Sequence, residues 1–240
     1  MALRVVNVRG DGHCFYRCVW RVAKECPRVA EALLLEEELS DELEGAMEVR
    51  HFVSMSLRHG VYGARTAFRN MLALLEGVED AELRDTLTDA YPLLSSGIPG
   101  SVGGLTDAAE DLRRYDALER IDDTALYASE FEVGILTRAL AVEADLRLIV
   151  VIDGGSAAES ADKWLRELHK MLPTVAESRV ALLINVDNVH YRFARFRGKA
   201  VASHADLTAY VEAIMKEESD DAEGPEDREG RPNELGVNRS

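Results

Sequence analysis

Three cysteines, Cys14, Cys18 and Cys26, crowd the start of a 240-residue chain, and one of them stands where a thiol can do chemistry. Cys14 follows the turn Gly10-Asp11-Gly12-His13. It opens a stretch in which apolar residues recur at helical spacing (Cys14, Cys18, Val22, with Val19, Trp20 and Ala23) up to Pro27. N–H groups left unpaired at a helix start, and the positive end of its dipole, favour thiolate over thiol. The same groups can donate to an oxyanion forming beside the sulfur, and glycines let the backbone approach it. The competing reading makes Cys14 a buried helix residue after an ordinary turn, since free cysteines are commonly core residues. Cys18, one turn on, and Cys26 take that structural reading. No second Cys/His cluster downstream has the spacing of a zinc site, so no metal is expected. The odd cysteine count argues against a disulfide framework.

A thiol nucleophile needs a base that can also protonate a leaving amine, and histidine is the usual one. Of six histidines, His51, His59, His169 and His204 lie in helical stretches and His13 sits in the turn, facing solvent or substrate. His190 opens a strand directly after a turn. In Val189-His190-Tyr191-Arg192-Phe193, alternation sends Tyr191 and Phe193 to one face, the expected core, and His190 with Arg192 to the other. A strand holds such a side chain rigidly, as catalysis requires.

The elements that must position this pair read as helices first and a small sheet later. Residues 1–8 form a strand or extended arm. Helices are expected over 13–25, 28–39, from Ser40 as N-cap to Gly60 as C′, and over 64–76, 80–90, 107–119 and 129–143. The Gly/Ser-rich stretch 95–104 is a loop. Leu146–Ile152 is a near-continuous apolar run that predicts a central strand buried on both faces. A helix over 157–171 leads to a strand over 180–186, a turn at Asp187-Asn188, and His190–Phe196 returning antiparallel. A helix over 204–216 and a disordered acidic tail, 217–240, complete an α+β arrangement.

The chain carries 44 acidic against 28 basic residues, a formal charge of −16. That opposes binding to phosphate backbones, so no nucleic-acid partner is expected, and favours basic ones. No run is apolar enough to span a bilayer, and the N-terminus lacks the layout of a secretory signal. The expectation is an intracellular, cytoplasmic monomer without membrane contact.

Gly10-Asp11-Gly12-His13-Cys14-Phe15-Tyr16-Arg17 resembles the Asp-Gly-x-Cys-hydrophobic-x-Arg block of ovarian-tumour (OTU) cysteine proteases. Val189-His190-Tyr191 is similar to their histidine block, and Tyr127 through Leu136, leading into the 146–152 strand, to the helix–strand segment before it. The resemblance covers roughly residues 3–197, with 27–120 matched only in helical character. It implies a papain-like fold over residues 1–200, helices packed on a small, mainly antiparallel sheet, and a deubiquitinase that needs no cofactor. Cys14 would attack the carbonyl after the Gly-Gly of ubiquitin or a ubiquitin-like modifier and form a thioester. His190 would protonate the departing amine and then activate water. The backbone N–H groups of Asp11, Gly12 and Cys14 would form the oxyanion hole. Asp11 matches the family aspartate three residues before the nucleophile, as a catalytic residue stabilising positive charge or as an Asx-type turn holding residue 13. Some members from viruses and intracellular bacteria act on host conjugates, which for such a source implies the host cell, with the nucleus as an alternative to the cytoplasm.

The chain departs from the pattern at Arg192, where many members carry Asp or Asn to orient the imidazole; arginine has no acceptor. Asn188 or Asp11 would then orient His190, with Asp187 and Asn7 as further candidates. The departure keeps open a ubiquitin-binding module that has lost turnover. The other readings are a viral polyprotein-processing protease, which an initiator Met argues against, and a helical scaffold in which Cys14 and His190 never meet.

Overall fold

The computed structural model describes residues 2–36, 41–76, 112–116, 128–153, 160–186 and 190–222. Strand β1 (Leu3–Asn7) is followed by helix α1 (Cys14–Glu25), which is buried nearly all round. Cys26, directly before Pro27, is extended (φ −133°, ψ 97°) as a residue before proline must be, and Pro27 starts α2 (Pro27–Ala32) at a position where its missing N–H costs nothing. α2 is shorter than predicted, because the chain leaves it through Leu34 at φ 56°. α3 (Glu42–His59) is capped by Asp41, whose carboxylate accepts from the Leu43 and Glu44 amides; the predicted cap, Ser40, lies outside the described residues. Gly60, at φ 69°, ends α3 in the left-handed conformation that glycine adopts without strain. α4 (Ala64–Glu76) matches its expected span.

Residues 112–116 are helical, within the stretch predicted for 107–119. The predicted 80–90 helix and the 95–104 loop lie outside the described residues. α5 (Glu130–Ala144) begins with a capping box: Ser129 accepts from the Phe131 amide and Glu132 reaches back to the Ser129 amide. Then come β2 (Leu146–Asp153), α6 (Ser160–Met171), a 3-10 turn (Leu172–Thr174), β3 (Arg179–Val186), β4 (His190–Phe196), β5 (Val201–Ser203) and α7 (His204–Ala222).

The sheet runs β1-β4-β3-β2, with β5 also pairing with β3. β3 and β4 pair antiparallel, as the hairpin pattern predicted, with Val186 opposite His190. β2 and β3 are parallel, connected through α6. The prediction of β2 as a central strand is corrected: β3 is central and β2 an edge. Two covered faces write the same apolar run into a sequence whether or not both edges are paired, so burial was legible and position was not.

Alternation divides every long strand between two cores. Leu146, Leu148, Ala181, Leu183, Tyr191 and Phe193 face α1 through α5, whereas Ile149, Val151, Leu182, Ile184, Ala194 and Phe196 face α6 and α7. The molecule is therefore a mixed helix–sheet protein with helices on both faces. Residues 201–222 belong to this body: β5 completes the sheet, and Leu207 and Val211 pack in the second core. α7 extends beyond the predicted end at 216 to Ala222 and so takes up the first part of the expected 217–240 tail; the rest lies outside the described residues. Among the described residues no helix is long and apolar enough to cross a membrane.

Candidate active site

The Gly10–His13 turn hands the chain from the edge strand to the central helix. Gly12 takes φ 83°, which a side chain would strain. The Asp11 carboxylate accepts from the His13 amide (3.2 Å), closing an Asx turn. It also receives two hydrogen bonds from Arg17, at 3.2 Å from Nε and 2.5 Å from the second guanidinium nitrogen. Burial alone would raise this carboxyl; the bonds from Arg17 and His13 outweigh that and hold it below its ordinary value. The Arg17 side chain is 5% exposed and the Asp11 side chain 23%, so the pair is a clamp between turn and helix. Both carboxylate oxygens are engaged there, and Asp11 makes no bond to His190. The structural reading of Asp11 is the one its partners support.

Cys14 opens α1 with His13 as the preceding cap residue. Its sulfur accepts from the Tyr191 N–H at 3.3 Å, a contact across 177 positions of sequence. β1 ends at Asn7, opposite Arg192, and one residue along β4 the Tyr191 amide meets Cys14 Sγ. The Tyr191 ring packs edge-on against Phe15, centroids 5.0 Å apart, which fixes strand against helix. The predicted separation of faces thus holds, with Tyr191 and Phe193 in the helical core and His190 and Arg192 on the other side of β4.

His190 lies against the turn. A Cβ built on Gly10 would come within 3.3 Å of His190 Nδ1 and 3.5 Å of Cε1, so only glycine leaves the imidazole its present place. Nδ1 is buried and makes no hydrogen bond. Burial, and then the nearby Arg192 charge, push the imidazole below its ordinary pKa and keep it neutral. Neither Asp11 nor any other described acceptor orients this nitrogen, and Asn188 and Asp187 lie outside the described residues. Asn7 is exposed on β1.

The thiolate expected at this helix start is not what the electrostatics favour. Cys14 is 0% exposed, and burial raises its thiol, against the opposing pull of the Tyr191, Phe15 and Cys14 amides; Asp11 raises it further. Desolvation wins because three partial positive charges do not replace the water a thiolate loses. The His13 amide in the same turn is given to the Asp11 carboxylate and so is not a free donor there. His13 is half-buried, with Nδ1 enclosed and unbonded.

Cys18 and Cys26 are free buried thiols, as their spacing indicated. His51 and His59 are exposed on α3, and His204 bonds the Leu172 carbonyl at 2.9 Å. No group of three metal-ligating side chains occurs among the described residues. The sequence did not reveal the Gly10 contact or the Tyr191–Cys14 bond; the only signal for either was the bare Gly-Asp-Gly run. No protein-family model, no curated protein and no solved structure matches the chain.

Proposed function

We propose that the chain is a thiol-dependent isopeptidase of the OTU type that releases ubiquitin or a ubiquitin-like modifier through a thioester on Cys14. One observation carries the reading: the amide of the residue after His190 donates to Cys14 Sγ, so the two blocks that resemble that family meet at the head of a buried helix. The position of His190 against Gly10, in the turn that leads into Cys14, supports it. On this reading, with thiol and imidazole both neutral, His190 takes the thiol proton as sulfur attacks the glycine carbonyl. The S–C bond forms, the C–N bond breaks, and the proton passes to the departing amine. Water then attacks the thioester, giving its proton to His190 and finally to the released thiol. A sulfur with no exposed surface cannot meet a carbonyl, so turnover includes a movement that uncovers it.

The same burial, together with Arg192 in place of an orienting carboxylate, favours a second reading: a ubiquitin-binding module without turnover. A ubiquitin probe with a C-terminal electrophile separates the two. The first reading expects covalent labelling of the wild-type protein, none of Cys14→Ala, and loss of turnover in His190→Ala with little change in melting temperature. Binding without labelling would leave the module; neither binding nor labelling would remove both.

A further inference from the structure

Arg192 is the position where this chain abandons a carboxylate or amide for a guanidinium, and its surroundings give that exchange a purpose. It is half-buried on β4, on the face that carries His190 and two residues along from it, with Asn7 of β1 opposite on one side and Ile184 of β3 on the other. Its Nε is buried and makes no hydrogen bond. None of the ion pairs among the described residues includes Arg192, whereas Arg17, Arg21 and Arg195 each hold a carboxylate. Arg4, Arg28, Arg58 and Arg197 are likewise in none of these ion pairs, but they are exposed, and Arg192 differs from them in its half-burial and enclosed Nε. It cannot shed its charge, and an enclosed charged donor without an acceptor carries a desolvation cost. A group of this kind is satisfied when an anion arrives, and the planar fork suits a carboxylate.

We propose that Arg192 is a specificity residue that binds a carboxylate side chain flanking the scissile bond on the leaving-amine side of the substrate. The inference rests on the isopeptidase reading for its geometry: the leaving amine departs toward the imidazole that protonates it, so the group beside His190 meets residues flanking the acceptor lysine. The chain's overall negative charge repels acidic substrates at long range, so selection of such a site depends on this local cation.

Two peptides test it, acetyl-Glu-Glu-Lys-Glu-Glu-amide and its counterpart with glutamine for every glutamate, free and as isopeptide conjugates of ubiquitin. In Cys14→Ala protein, the acidic free peptide is expected to shift the Arg192 Nε–Hε NMR signal, assigned by its loss in Arg192→Gln, and the glutamine peptide is not. In wild-type protein, kcat/KM for the acidic conjugate should exceed that for the glutamine conjugate about tenfold, and Arg192→Gln should bring the two within twofold. An unmoved signal with equal cleavage overturns the proposal, as does a preference that survives Arg192→Gln. Should neither conjugate be cut while the acidic peptide still shifts the signal, the isopeptidase reading falls and the carboxylate site stands.

Discussion

At the scale of single residues, the site is organised by groups that hold one another rather than by groups that wait for substrate. The Asp11–Arg17 clamp ties the turn to the first helical turns of α1, and Asp11 has its folded pKa held below the ordinary 3.8. A depressed carboxyl contributes stability above its unfolded pKa and loses it as pH falls through the folded one. Asp11→Asn should therefore lower stability by about 1–2 kcal/mol at pH 7, since asparagine keeps one acceptor oxygen but loses the charge that Arg17 pairs with. The gap between variant and wild type should narrow as pH falls from the ordinary carboxylate range through the lowered folded value, as denaturant unfolding across pH would measure. Gly10 acts through another residue. Gly10→Ala presses a methyl onto the imidazole at 3.3 Å, a distance the ring must yield by turning. On the isopeptidase reading kcat should fall roughly tenfold or more with KM little changed, since a small misplacement of a catalytic group costs that much. An unchanged kcat would mean that the ring's position is immaterial.

The elements position the site by close approach at two places. One is the Tyr191–Phe15 contact, which sets β4 against α1. The other is Gly45 in α3, where a Cβ would lie 1.9 Å from Trp20 Nε1 on α1. Helix propensity alone makes Gly→Ala favourable by about 1 kcal/mol, but overpacking of a helix–helix contact costs about 1–3 kcal/mol, and contact with an indole this tight belongs at the upper end. Gly45→Ala should therefore lower the melting temperature. A rise would show that Trp20 swings aside freely. The far end of α1 is secured differently, by Glu25, which accepts from Arg195 on β4 and from the Ala200 amide at 2.9 Å. The Tyr191–Phe15 and Arg195–Glu25 contacts hold the helix that carries Cys14 against the strand that carries His190, and Gly45 lets α3 close on that helix.

Across the whole molecule the charge of −16 sets how partners arrive. A basic, extended modifier tail would be steered in by that field, and screening at physiological salt acts over about 8 Å. Raising ionic strength from about 50 to 300 mM should raise KM for a ubiquitin conjugate several-fold while leaving kcat nearly constant. A salt-independent KM would place recognition in apolar contacts instead. The exposed apolar side chains Leu34, Leu43, Met47 and Val61 would be the first to examine in that event.

Much of this was legible in the sequence, because the physics that produced it is local. Period-3.6 and period-2 spacing gave α1, α4, α5 and the β3–β4 pairing, Gly60 closed α3, and alternation put Tyr191 and His190 on opposite faces. Other features depend on what lies opposite, which no spacing encodes. Tertiary structure decided that β2 is an edge, that β2 and β3 run parallel, and that Arg17 occupies both oxygens of Asp11. It also decided that Cys14 is a buried thiol. The helix terminus that favours a thiolate was written in the Gly-Asp-Gly-His-Cys run, but the burial that outweighs it exists only once that helix is packed in the core.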